Sequence, residues 1–175
     1  MANLDIDPER TALVLIDLMP RIIALPTAPI AGATVLARCI DLARAVRKVG
    51  GLVVFVRVER PDSSIQPEGS ELAPECDPQS GDLAVVKHTL GAFAGTGLDS
   101  ELRKRGIRTV VLAGLVTNWG VESTGRAADD LGYATVYVSD AMSGLDRHAH
   151  EFAIGYVFSQ LGAVCIAQQL LSVLT

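Results

Sequence analysis

Apolar residues gather in four dense runs, at positions 11–16, 52–58, 109–113 and 135–138, rich in Val, Leu, Ile and Thr. Two weaker runs lie at 83–86 and 163–166. The runs lack regular polar alternation, as expected of strands covered on both faces of a parallel sheet. Helical patterns separate them. Residues 34–49 place Val35, Leu36, Ile40, Leu42, Ala43 and Val46 on one side and leave Arg38, Asp41, Arg44 and Lys48 to water, with Gly50 and Gly51 as the stop. Further helices are predicted over 98–105, closed by Gly106, and over 119–131, capped by Thr117 or Asn118 and closed by Gly132. Another runs from an Asp146 cap to about residue 161, and a last one covers 168–174. Strands alternating with helices predict an α/β fold, a three-layer α/β/α sandwich on a mostly parallel sheet with right-handed crossovers. The chain reads as a single domain over 1–175. Residues 60–82 break the rhythm with four prolines (Pro61, Pro67, Pro74 and Pro78) and read as a long surface loop.

In open α/β sheets, ligands sit beyond the carboxyl ends of the strands. The first run ends in Asp17, the second in Arg57 and Glu59, the third in Lys87 and His88, the fourth in residues 114–118, the fifth in Asp140. Asp17 and Lys87 are opposite charges that can converge on one rim. Taken singly, Asp17 serves equally well as a loop cap and Lys87 as a residue reaching water along its apolar stem. The segment Gly114-Leu115-Val116-Thr117-Asn118-Trp119-Gly120-Val121 runs from strand to helix and can present backbone N–H groups to an anion, or be a plain capped turn. His88 is a second titratable candidate at the rim. His148 and His150 are two apart, do not share a helical face and are expected to be solvated. Leu18, Met19, Phe93 and Trp119 are candidate pocket walls, or core residues of the same type.

Composition adds exclusions. A net charge of −5 argues against binding a nucleic-acid backbone. No apolar stretch is long enough to span a bilayer, and the polar start MANLDIDPER lacks the pattern of a signal peptide, so a cytoplasmic location is expected. Three widely spaced cysteines (Cys39, Cys76 and Cys165) suggest reduced structural thiols. No cluster has metal-ligand spacing, and neither a phosphate-binding glycine loop nor a GxSxG elbow occurs. No metal and no cofactor are expected.

The segments TALVLIDLMP and GDLAVVKHTLGAFAGTGLDSELRKRGIRTVVLAGLVTNWGVESTGRAADDLGYATVYVSDA, with the spacing between them, resemble the isochorismatase-like cysteine hydrolases. That family includes nicotinamidases, carbamoylsarcosine amidases and true isochorismatases. The resemblance runs from about residue 11 to 171. It implies a six-stranded parallel sheet of strand order 3-2-1-4-5-6, homodimers or higher homo-oligomers, and a non-proline cis peptide at Val116–Thr117. It also implies that Asp17 and Lys87 are two of the three catalytic residues.

The third, a cysteine in most relatives, aligns with Gly120. A glycine supplies no nucleophile, so the resemblance excludes the thioester route of the amidases. The segment VRVERPDSS after the second strand lacks the histidine of the nicotinamidase metal motif. True isochorismatases resemble this pattern of Asp, Lys and Gly, and cleave a vinyl ether by acid catalysis. On that resemblance Asp17 is the acid, Lys87 holds the substrate or its developing charge, and Gly120 makes room and offers its N–H. Leu18, His88, Phe93, Val116, Thr117 and Trp119 are the expected substrate-binding residues. The run Thr117-Asn118-Trp119 instead resembles the cysteine-type relatives. The function expected is hydrolysis of a small enol-ether or carboxylated substrate without a thiol intermediate. The alternatives are a catalytically inactive relative that binds a small ligand or serves as an assembly subunit, or a hydrolase using a displaced thiol such as Cys76.

Overall fold

The computed structural model describes residue 4 and residues 6–174; the remaining residues, part of the polar amino-terminal stretch among them, lie outside it. Six strands form one sheet: β1 (Thr11–Ile16), β2 (Leu52–Val58), β3 (Leu83–Lys87), β4 (Thr109–Leu115), β5 (Ala134–Ser143) and β6 (Ala163–Cys165). Their order is β3-β2-β1-β4-β5-β6, and every neighbouring pair is parallel. The order reverses between β1 and β4, which places the topological switch point beside Asp17.

The apolar runs divide between two cores by strand alternation. On one face, Leu13 and Leu15 pack with Val53, Phe55 and Val111 under α2 (Gly32–Lys48) and α7 (Ala167–Val173). On the other, Ala12, Val14 and Ile16 pack with Val54, Val110 and Leu112 under α3 (Leu98–Lys104), α4 (Glu122–Asp130) and α6 (Phe158–Leu161). The buried stripe of α2 is the one its apolar spacing predicts: Val35, Leu36, Ile40, Leu42, Ala43 and Val46, together with Cys39. No helix among the described residues is long and apolar enough to cross a membrane.

Several boundaries differ from the pattern. The helix predicted from 119 begins as a π-helical turn over Thr117–Val121 before α4. The helix predicted from 146 to 161 is interrupted: α5 (Arg147–Phe152) passes through a π turn, Ala153–Val157, into α6. A four-residue helix, α1 (Pro20–Ile23), has Pro20 at its first position, where the missing N–H is not needed. The strand β5 runs well past residue 138. Ser139 and Asp140 mask its continuation, but their side chains are spent on the fold: Ser139 donates to Cys165 O at 3.0 Å, and Asp140 accepts the Ala167 N–H at 2.7 Å. The loop 60–82 is partly tied down, with the Ala73 N–H on Leu18 O at 2.8 Å and Cys76 buried in a 3₁₀ turn.

Candidate active site

Asp17 follows β1 directly and has φ 49°, a conformation rare outside glycine, with its N–H bonded to Val56 O at 2.8 Å. The main chain thereby turns off the end of the strand, and the carboxyl group stands over the rim. Lys87 closes β3. It sits beside Val58 of β2 in the parallel register and reaches past it to the same spot. The charges meet: Lys87 Nζ lies 2.9 Å from Asp17 Oδ2, with the two side chains 1% and 8% exposed. A second Nζ–H goes to Leu90 O at 2.7 Å.

The turn after β4 covers this pair. Gly120 lies within the π-helical turn without a positive φ, so its lack of a side chain is not a conformational need. A Cβ there would stand 3.0 Å from Lys87 Nζ, 3.0 Å from Ile16 Cγ2 and 3.4 Å from Asp17 Oδ2. The ion pair therefore closes into the space a side chain at 120 would claim. The turn is anchored from behind by Thr117 Oγ1, 2.8 Å from His150 Nδ1, both buried, and by Thr124 Oγ1 donating to Gly120 O at 2.6 Å. A non-proline cis bond joins Leu115 and Val116, one bond before the Val116–Thr117 position implied by the family resemblance, where β4 gives way to an extended Val116.

Burial raises the Asp17 carboxyl above the ordinary carboxylate range, outweighing the attraction and hydrogen bond of Lys87 and the more distant pull of Arg21. Asp17 Oδ1 is buried and accepts no hydrogen bond.

Asp17, Lys87 and Gly120 form the floor of a cavity of about 270 Å³, whose walls include Val116, Trp119, Leu90, Leu145, Ile22 and Leu25. Trp119 is 55% exposed, at the mouth. Larger depressions exist. One of about 480 Å³, lined by Glu9, Arg47, Asp82 and Ile107, opens at the amino-terminal ends of the strands, away from the switch point. Another, of about 470 Å³, holds Arg57, Glu59 and Glu71. Neither contains a buried titratable pair next to a helix-opening turn.

Of the expected pocket residues, the structure brings Val116 and Trp119 to the cavity beside Asp17, Lys87 and Gly120. Leu18 is fully buried in the α2-side core, on the side of the chain opposite Asp17, and Met19 is also fully buried outside the cavity. Phe93 stacks on Tyr133 at 5.9 Å in the other core. The hydroxyl of Thr117 is turned away to His150. His88 alternates away from Lys87 and lies at the surface, its Nδ1 3.2 Å from Glu59 O. His150 is buried, not solvated as its spacing from His148 suggested, and burial lowers its pKa. Sequence reasoning missed Ile22, Leu25, Val58, Thr89, Leu90, Leu115 and Leu145 as cavity lining. Leu115 lay in the strand-to-helix segment already singled out, and Thr89 and Leu90 follow closely on Lys87; the others carried no signal.

Cys39, Cys76 and Cys165 are all free and buried, and none lines the cavity. Burial pushes Cys76 and Cys165 up to about 11 and Cys39 higher still, so none is a ready thiolate. Among the described residues no group of three His, Cys, Asp or Glu side chains is placed to hold a metal.

Residues 11–169 match the Isochorismatase domain family. The chain is 37% identical to the uncharacterized isochorismatase family protein YwoC of Bacillus subtilis, over 93% of each chain. An isochorismatase family protein from Burkholderia thailandensis superposes with a TM-score of 0.89 at 39% identity, over 97% of both chains. N-carbamoylsarcosine amidase from Thermoplasma acidophilum shares the fold with a TM-score of 0.78 at 27% identity, over 90% of this chain and 96% of that one.

Proposed function

The chain belongs to the isochorismatase family of hydrolases, and we propose that it hydrolyses a small enol-ether or carboxylated substrate by acid–base chemistry at Asp17, without a thiol nucleophile. The observation that carries this reading is the Lys87–Asp17 pair at the floor of a cavity, beside a residue with no side chain. Desolvation favours the neutral acid, which is the form that donates a proton. For an enol ether, Asp17 protonates the terminal alkene carbon. Water adds to the resulting oxocarbenium ion and gives up a proton to the Asp17 carboxylate, and the hemiketal collapses to a ketone and an alcohol. Lys87 holds the carboxylate left on Asp17 and the substrate's own negative charge. The buried cysteines take no part.

The test is pyruvate release from two enol ethers, isochorismate and 2-phenoxyacrylate. Turnover of either is expected, unaffected by iodoacetamide and reduced by about 10²–10⁴ in Asp17→Asn, the range of general acid catalysis. Absence of pyruvate from both, or full turnover in Asp17→Asn, refutes the reading. A second reading, ligand binding without turnover, is supported by the largely apolar cavity wall. A thermal shift with a small acid or amide, in the absence of any product, favours it.

A further inference from the structure

The cavity holds very little charge. Among its described lining residues only Asp17 and Lys87 are charged, and they neutralise one another; Thr89 is the other polar side chain. Charged groups on the surrounding elements are engaged elsewhere. From α1, Arg21 bonds Ser70 at 3.0 Å and acts on Asp17 only from a distance. From β2, Arg57 and Glu59 pair with each other. After β3, His88 lies at the surface against Glu59 O. Neither β4 nor the turn 117–121 carries a charged residue, and the His150 of α5 is held by Thr117.

An anion brought into such an enclosure needs a cation, because an unpaired charge in apolar surroundings is costly. The cation present is already matched by Asp17. A dianion would leave at least one negative charge unmatched. A monoanion is accommodated if the carboxylate already there is neutralised. Asp17 Oδ1, buried and without a partner, is the oxygen free to take a proton.

We propose that this site takes a singly charged carboxylate with an apolar body, and that the ligand enters together with one proton from solvent. The proton settles on Asp17 as the Lys87 ammonium passes from Asp17 to the ligand's carboxylate. The inference rests on the reading of Asp17 and Lys87 as the reactive pair, and it deepens it. The substrate's own charge loads the acid that then protonates it, and the acid stays unloaded while the cavity is empty. Burial already tilts Asp17 in this direction.

Calorimetric titration of the full chain with benzoate, phthalate and benzamide between pH 6 and 8, in buffers of different ionisation enthalpy, tests this. Benzoate is expected to bind with uptake approaching one proton, its affinity falling by up to about tenfold per pH unit as one-proton linkage requires. Benzamide should bind without proton uptake, and phthalate at least about tenfold more weakly than benzoate, an unmatched buried charge being costly. In Asp17→Asn, a neutral isostere, benzoate binding should lose both the proton uptake and the pH dependence. The proposal is overturned if benzoate fails to bind, binds without proton uptake, or binds no better than phthalate. The wild-type titration alone decides these points, even if the variant misfolds. Proton-coupled benzoate binding with no pyruvate from either enol ether would sink the catalytic reading and leave this one standing. Asp17-dependent turnover with uncoupled benzoate binding would do the reverse.

Discussion

Replacing Lys87 by Met keeps the unbranched stem, one atom shorter, and removes the buried ammonium. Asp17 is then alone among apolar walls. Breaking a buried pair by deleting one partner costs about 3–5 kcal/mol when the other stays charged. For a domain of this size that is a fall in Tm of about 6–20 °C. The loss is not constant with pH. Asp17 is raised by burial even with Lys87 beside it, so its contribution to stability is complete below the ordinary carboxylate value and is lost as pH rises through its folded value. Removing Lys87 deletes the largest influence pulling that value down. The variant therefore goes on losing stability, by at most about 1.4 kcal/mol per pH unit, over a range where the wild type has finished doing so. Thermal unfolding of both proteins at pH 5, 6.5 and 8 should show a gap that is narrow in acid and wide in base. A gap that stays the same at all three values, or a variant as stable as the wild type at pH 8, would show that the pair is neither buried nor coupled as described.

Gly120→Ala should leave the fold intact, since the backbone of the π-helical turn there has no positive φ and so accepts a side chain. Its methyl group would press on Lys87 Nζ and Ile16 Cγ2 and so disturb the ion pair, and turnover should fall at least about tenfold, the factor that corresponds to roughly 1.4 kcal/mol of barrier. Unchanged kinetics would show that the space above Gly120 plays no part. Thr117→Val removes the hydroxyl that engages the buried His150 and should lower stability by about 1–3 kcal/mol, read by urea unfolding at pH 7.

The architecture was largely legible because β1, β2 and the buried stripe of α2 are unbroken apolar patterns whose period admits one reading. The ends of β5 and of the α5–α6 segment were not. There, polar residues such as Asp140 are absorbed by partners distant in sequence, and a single extra residue per π turn leaves no mark in composition. The site divides the same way. Asp17 and Lys87 were visible because charges at the ends of buried strands stand out. Which leucine becomes wall and which becomes core was hidden: Leu18 and Leu90 are the same residue type, and only the turn at Asp17 and the path after β3 distinguish them. His148 and His150 are equally ambiguous in sequence, and the partner that separates them, Thr117, comes from another element.

Gly114 has φ 108°, and a Cβ on it would stand 2.3 Å from the carbonyl oxygen of Ile16, its partner in the β1–β4 register. Two backbones are in direct contact at the last rung before Asp17 on one side and shortly before Gly120 on the other. The gap between acid and turn is consequently gauged by main chain against main chain, with no side chain as a spacer. Substitutions deep in either core can slacken the packing without moving this gauge, whereas any residue with a side chain at 114 must prise the two strands apart. A single hydrogen atom thus calibrates the geometry of the whole rim.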